Sequence, residues 1–268
     1  MKITDFKYTS DDIITTDDYL NFCNDNNICY IKTDFFYTGR FNWRGQEHPK
    51  FIDKVCVIGH SDYPITDQIS MKFEKVFCIN KNTQNSNTFA LPLGLTNDCD
   101  DSTLHRIYGN KKIVVECANS LTEKSNLVYM NFNISNFPQE RHFLFEKFNR
   151  EKWVKVGQIE NTIEGRIKFL RDIKVSKFVL CPRGNGVDTH RLWETLYMGS
   201  IPIVKYHETH HLIQDLPILF VENWEEVNED FLNQKYEEMI NKNWNMDKLK
   251  LSYWTDFIKS ELKNEYLG

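Results

Sequence analysis

The stretch from Lys177 to Lys205 limits what this chain can fold into more than any other. Phe178 to Cys181 is a short apolar run of the kind that is buried in a sheet. Pro182, Gly184 and Gly186 then interrupt regular structure and let the backbone pass close to a ligand. Asp188 or Thr189 caps a helix that runs to about Met198, where Gly199 ends it. Ile201 to Lys205 reads as the next strand. Strand, glycine loop, helix and strand make a βαβ unit, with the loop and the helix N-terminus at the carboxyl edge of a parallel sheet. Unpaired N–H groups and the positive end of the helix dipole favour an anion there.

The helix adds a second constraint. At about 100° per residue, Leu192, Trp193 and Leu196 share one face, which can pack on the sheet. Arg191 and Glu194 project from the other side, one turn apart. Arg191, with Arg183 from the loop, matches a phosphate through the planar guanidinium fork, and Glu194 suits vicinal hydroxyls such as those of a ribose. The same spacing also fits an i, i+3 ion pair on a solvated face, worth roughly a few tenths of a kcal/mol. A glycine loop before a helix does not by itself choose between the two.

The run Phe178-Val-Leu-Cys-Pro-Arg-Gly-Asn-Gly-Val-Asp-Thr-His-Arg-Leu-Trp-Glu-Thr-Leu-Tyr-Met-Gly-Ser-Ile-Pro-Ile-Val204 closely resembles the nucleotide-sugar-binding segment of exostosin-like glycosyltransferases, in their small single-module form. Looser likeness extends through Leu91-Pro-Leu-Gly-Leu-Thr-Asn97, Asn126-Leu-Val-Tyr-Met-Asn-Phe132 and Pro138-Gln-Glu-Arg141. The resemblance implies a metal-independent transferase that moves a hexosyl or pentosyl group from a nucleotide-diphosphate donor to a hydroxyl of a glycan. On this reading Arg191 stabilises the leaving diphosphate. Arg183, Gly184, Asn185, Gly186, Val187, Asp188, Thr189, His190 and Glu194 bind the donor. Two other readings fit the same pocket: an epimerase-like enzyme that processes nucleotide sugars without an acceptor, and a non-catalytic glycan- or nucleotide-binding module.

Strands alternate with helices along the whole chain, which predicts an α/β fold with parallel, doubly wound sheets. Together with the resemblance, the expectation is a GT-B-like protein, two Rossmann-like halves facing across a cleft. Residues 1–122 would form the acceptor half and 123–268 the nucleotide-sugar half, divided in the polar stretch Ser120 to Ser125. In the first half, strands are expected at Ile28–Lys32, Val55–Gly59 and Lys75–Ile79, with a buried segment at Phe89–Leu95. In the second, strands are expected at Leu127–Met130, Trp153–Val156 and Ile218–Val221. Helices are expected at Pro138–Asn149, Asn161–Asp172, His207–Asp215, Asp230–Asn241 and Asp247–Leu262.

If transfer inverts configuration, a base from the first half must take the acceptor proton. Asp62, in Gly59-His60-Ser61-Asp62 just past a strand end, is the first candidate, with Glu47 and His60 behind it; Asp62 is equally suited to anchoring a turn. The loop from Phe35 to Pro49 carries Tyr37, Arg40, Phe41, Trp43 and Arg44, aromatic faces beside hydrogen-bonding groups that suit a sugar ring or simply cover the core. Asp98-Cys99-Asp100 has the form of a D-x-D metal motif, but its polar setting reads as a loop, so no divalent metal is expected. His210-His211 is expected on an exposed helix face and lacks a third ligand at metal spacing.

Composition excludes several classes. A formal charge of −5 over 268 residues argues against a nucleic-acid partner. No apolar run approaches about 18 residues, so no membrane span is expected, and the acidic first residues do not read as a secretory signal. Seven cysteines without C-x-x-C spacing indicate reduced thiols and a cytoplasmic setting. Cys181, beside the loop, has no recognisable activating base.

Overall fold

The computed structural model describes residue 3 and residues 7–39, 54–99 and 103–263. It is α/β, with two wholly parallel sheets. The first holds β1 (Cys29–Lys32), β2 (Val55–Gly59), β3 (Lys75–Cys78) and β4 (Thr88–Ala90), in spatial order β1-β2-β3-β4. The second holds β5 (Asn126–Met130), β6 (Val154–Val156), β7 (Ser176–Leu180), β8 (Ile201–Lys205) and β9 (Leu219–Val221), in order β6-β5-β7-β8-β9. Register is in phase with the apolar pattern, with Val128 beside Phe178 and Phe178 beside Ile201. All three side chains are buried, as expected of strands covered on both faces.

Parallel neighbours require crossovers. In the second sheet these are α6 (Pro138–Phe148), α7 (Ile163–Lys174) and α8 (His190–Tyr197). Pro138 opens α6 at its first turn, where a missing N–H costs nothing, and the Thr162 side chain caps α7 by accepting from the Gly165 amide. In the first half, α1 (Thr16–Asp25) precedes β1, and the short α2 (Asp34–Thr38) and α3 (Asp67–Ser70) follow β1 and β2. Two helices that the sequence reading did not anticipate, α4 (Thr103–Tyr108) and α5 (Lys111–Asn119), join the sheets.

The expected helix at 207–215 is a 3-10 turn, Glu208–Ile213, in which His210, expected on an exposed face, is buried. His207 starts it by accepting from the Thr209 amide through its ring, and so short a run favours the tighter winding. The last helix is likewise shorter than expected. Residues 246–249 form a 3-10 turn, Lys250 is extended, and after α9 (Glu229–Ile240) the regular helix α10 covers Leu251–Lys263.

α10 returns from the second half to lie on the first sheet. Phe257 meets Phe77 edge-on at 6.0 Å and Phe89 at 5.6 Å, while Lys75 donates to the Glu261 carbonyl at 2.6 Å. One apolar core therefore runs through both sheets, from Val57 and Phe77 to Phe178, Trp193 and Trp254. A smaller cluster, including Ile31, Ile58 and Phe73, covers the remaining face of the first sheet. Among the described residues no helix is long and apolar enough to cross a membrane.

Candidate active site

The strand order of the second sheet creates its own crevice. β6 and β7 flank β5 on opposite sides, so the chain leaves the carboxyl ends of β5 and β7 in opposite directions, the position at which open α/β sheets bind ligands. A cavity of about 370 Å³ lies there. Asn131 and Phe132 line it from the end of β5, Pro182 and Gly184 from the end of β7, and Arg191 and Glu194 from α8. The first half closes it with Asp62, Leu93 and Thr96.

Charge in the cavity is organised around Glu194, which is 4% exposed. It accepts from Arg166, a fully enclosed residue of α7, and from Arg191 Nε at 3.4 Å. Burial pushes the Glu194 carboxyl up, but the two guanidinium groups outweigh it and hold the group below its ordinary value. Arg166 also donates to the Tyr108 carbonyl at 3.0 Å and faces the Phe169 ring. Arg191 lies 4.4 Å over that same ring. Phe169 is thus a shared platform that orients both cations.

Two buried polar atoms of the lining residues, Arg191 Nη1 and Thr189 Oγ1, have no hydrogen-bond partner. An unmet buried donor costs about 1–3 kcal/mol, more when it is charged, so such groups call for a ligand. Arg191 carries a guanidinium N–H that the fold leaves open, at a switch-point crevice and on the first turn of a helix.

The glycine loop is held from the first half. Asn80, just past β3, sits at φ 56°, and its Oδ1 accepts from both the Val187 and Asp188 amides at 2.9 Å. A Cβ on Gly186 would come 2.8 Å from Asn80 Nδ2 and 3.2 Å from Asp62 Oδ1, so this close approach needs glycine. Asp188 accepts from the Leu93 amide at 2.8 Å and from Trp193 Nε1 at 2.9 Å. Burial pushes its carboxyl up to about 6 against those bonds. His190 Nδ1 donates to the Gly94 carbonyl at 2.9 Å, and burial holds the ring below its ordinary value, hence neutral near pH 7.

The structure brings Asp62, Gly184, Asn185, Gly186, Asp188, Thr189, His190, Arg191 and Glu194 to one cavity. Arg183 and Val187 face elsewhere: the Arg183 guanidinium stacks 4.4 Å from the Phe137 ring on the far side of the loop, and both residues line a smaller cavity there. Of the two arginines expected to grip a pyrophosphate, only Arg191 lines the larger cavity. The loop amides are also less available than expected, since Gly184 N donates to the Gly186 carbonyl and Val187 N to Asn80.

His60 lies outside the cavity lining, joined to Asp17 at 2.7 Å and to Tyr30 at 2.5 Å. Arg40, Phe41, Trp43, Arg44 and Glu47 lie outside the described residues, as does Asp100 of the D-x-D run. Among the described residues no group of three or more His, Cys, Asp or Glu is placed to hold a metal ion. Burial pushes the Cys181 thiol up to about 12, which leaves it protonated and unreactive.

Sequence reasoning missed Arg166, Asn80 and Arg141. Arg141 is buried, donating from Nε to the Arg183 carbonyl at 2.8 Å and from Nη1 to the Asn133 carbonyl at 2.7 Å. Its signal was present in Pro138-Gln-Glu-Arg141. Neither Arg166 nor Asn80 stands in a distinctive pattern, because each acts through a partner distant in sequence.

Two parallel sheets, one with a switch-point cavity walled by Arg191, Glu194 and a glycine loop, make an α/β fold of GT-B type. Residues 134–268 match the family model described as RXYLT1 C-terminal domain. The chain belongs to that exostosin-like family. Among solved structures it is similar to one titled "Crystal Structure of alpha1,3-Fucosyltransferase", with 14% identity, a TM-score of 0.44, and 88% of this chain and 90% of that chain covered. It is also similar to the UDP-GlcNAc 2-epimerase of Methanocaldococcus jannaschii, with 12% identity, a TM-score of 0.34, and 79% and 77% of the two chains covered. No curated protein matches.

Proposed function

We propose that this glycosyltransferase moves a hexosyl or pentosyl group from a nucleotide-diphosphate donor to a glycan hydroxyl, without a divalent cation. The observation that carries the reading is the open Arg191 Nη1 in the switch-point cavity. As the bond from the anomeric carbon to the diphosphate breaks, its electron pair goes to the departing phosphate oxygen. Arg191 and the Thr189 hydroxyl donate to that charge as it develops, which is where preorganised donors accelerate a reaction. Glu194, held ionised by Arg166, accepts from ribose hydroxyls.

The acceptor enters from the side of the first half. Asp62, beside Gly186, takes the proton of the attacking hydroxyl, and the acceptor oxygen bonds to the anomeric carbon. Seven free cysteines support work in the cytoplasm, where thiols stay reduced.

Calorimetry with a panel of nucleoside diphosphates, then donor consumption with and without glycans in EDTA, tests this reading. Binding followed by acceptor-dependent turnover in EDTA is expected. Turnover that needs no acceptor would mark an epimerase-like enzyme, binding without turnover a binding module, and loss of activity in EDTA a metal-dependent transferase.

A further inference from the structure

On the far side of the glycine loop a second cavity, about 80 Å³, is enclosed by Arg183, Val187, Lys205, His207, His210 and Glu140. That volume is several times what one water needs and accommodates one tetrahedral oxyanion. It lies past the end of β8 and beside the first turn of α6, to which Glu140 belongs. The N-terminal dipole of this eleven-residue helix adds positive potential.

His210 is 1% exposed, and neither of its ring nitrogens has a partner. Arg183 Nε is also buried without one. Its guanidinium is clamped on the Phe137 ring, and its Nη2 donates to the Asn185 carbonyl at 3.3 Å. Burial, with Arg183 beside it, pushes His207 down, and burial, with His207 beside it, pushes His210 down, so both rings are neutral near pH 7. Glu140 is the one acid among the lining residues, and Glu208 lies close enough to His207 to act on it. Orphaned donors beside the charges of Arg183 and Lys205 within one space are what an anion would satisfy.

We propose that the chain has a second anion site here, separate from the nucleotide cavity, which takes one phosphate- or sulfate-type group between Arg183 and His210. Arg183 Nε–H and the His210 ring donate to its oxygens, and Lys205 neutralises it from the rim. The loop between the two cavities is common to both, since Val187 lines this one and Gly184 and Gly186 line the other. The site does not depend on the proposed transfer reaction.

The probe is inorganic phosphate, followed through the histidine ring resonances of the full chain, with His210→Gln identifying the His210 signal. Phosphate is expected to shift the His210 and His207 resonances. Arg183→Met is expected to weaken that response at least tenfold, and Arg191→Met to leave it unchanged. Should His210→Gln not fold, the loss in Arg183→Met, checked by circular dichroism, carries the test.

Competition by phenyl phosphate would assign the site to an ester on a larger molecule; response to inorganic phosphate alone would assign it to the free ion. Either supports the proposal. It is overturned if phosphate perturbs only signals lost with Arg191→Met, or if the His210 response survives Arg183→Met. Both of those results would leave the donor reading of the larger cavity intact.

Discussion

The two sheets are built from the same parallel crossovers, yet only one can make a crevice. The first runs β1-β2-β3-β4, each strand added on the same side of the last, while the second doubles back at β5 and β7. A sheet that winds one way has no point at which neighbouring connections diverge, so it offers a rim and no slot. At that rim Asn80 serves the opposite half, while His60 is held within its own by Asp17 and Tyr30. His60 and Asn80, directly after β2 and β3, both take positive φ, 59° and 56°, a conformation that costs of order 1–3 kcal/mol outside glycine. Asn80 uses it to hold the glycine loop of the other sheet. One sheet supplies the pocket; the other shapes and closes it.

That division of labour can be broken experimentally. The largest effect is expected for Arg191→Ala, with transfer down by about 10³-fold or more and the fold retained by circular dichroism. Asp62→Asn is expected to lower turnover about 10²-fold while leaving the dissociation constant of the nucleotide diphosphate unchanged. A matching loss of donor affinity would mean that the first half also grips the donor.

Arg166→Met should destabilise by about 3–5 kcal/mol in a denaturant titration, because it leaves the buried Glu194 carboxylate without its enclosed partner. Asn80→Gly keeps the positive φ at no steric cost but removes the clamp. Donor affinity should fall by roughly tenfold, the worth of about one to two hydrogen bonds; unchanged affinity would show the loop to be self-supporting.

The smallest effect concerns pH. Burial lowers His210 from 6.5 to about 4, so between those values the unfolded chain binds a proton that the folded chain does not. Stability should rise with pH across that window and fall as acid is added. Melting temperatures across it should slope less steeply in His210→Gln.

Much of this was legible in the chain. Runs such as Phe178–Cys181 and Ile201–Lys205 mark strands covered on both faces, and the glycine loop with Arg191 and Glu194 marks the crevice. The sign of the site was harder to read. Glu194 was open to two readings, and the structure contains the ion pair of one inside the cavity of the other, with Arg166 as a third member. Arg183 and Arg191 look alike in sequence, eight positions apart, but a ring at Phe137 turns the first away from the cavity. Local periodicity carries no information about such long-range partners. The same limit hid α5, whose buried Val114, Cys117 and Ala118 form too narrow a stripe to stand out.

The return of α10 to the first sheet has a consequence for how the molecule is made. Phe77 and Phe89 leave the ribosome long before Phe257, the ring that covers them. The first sheet therefore waits with an uncovered aromatic face until residue 257 has emerged. Closure of that face awaits the residues of α10, and a nascent chain stalled before residue 251 should bind a hydrophobic dye that the finished protein rejects.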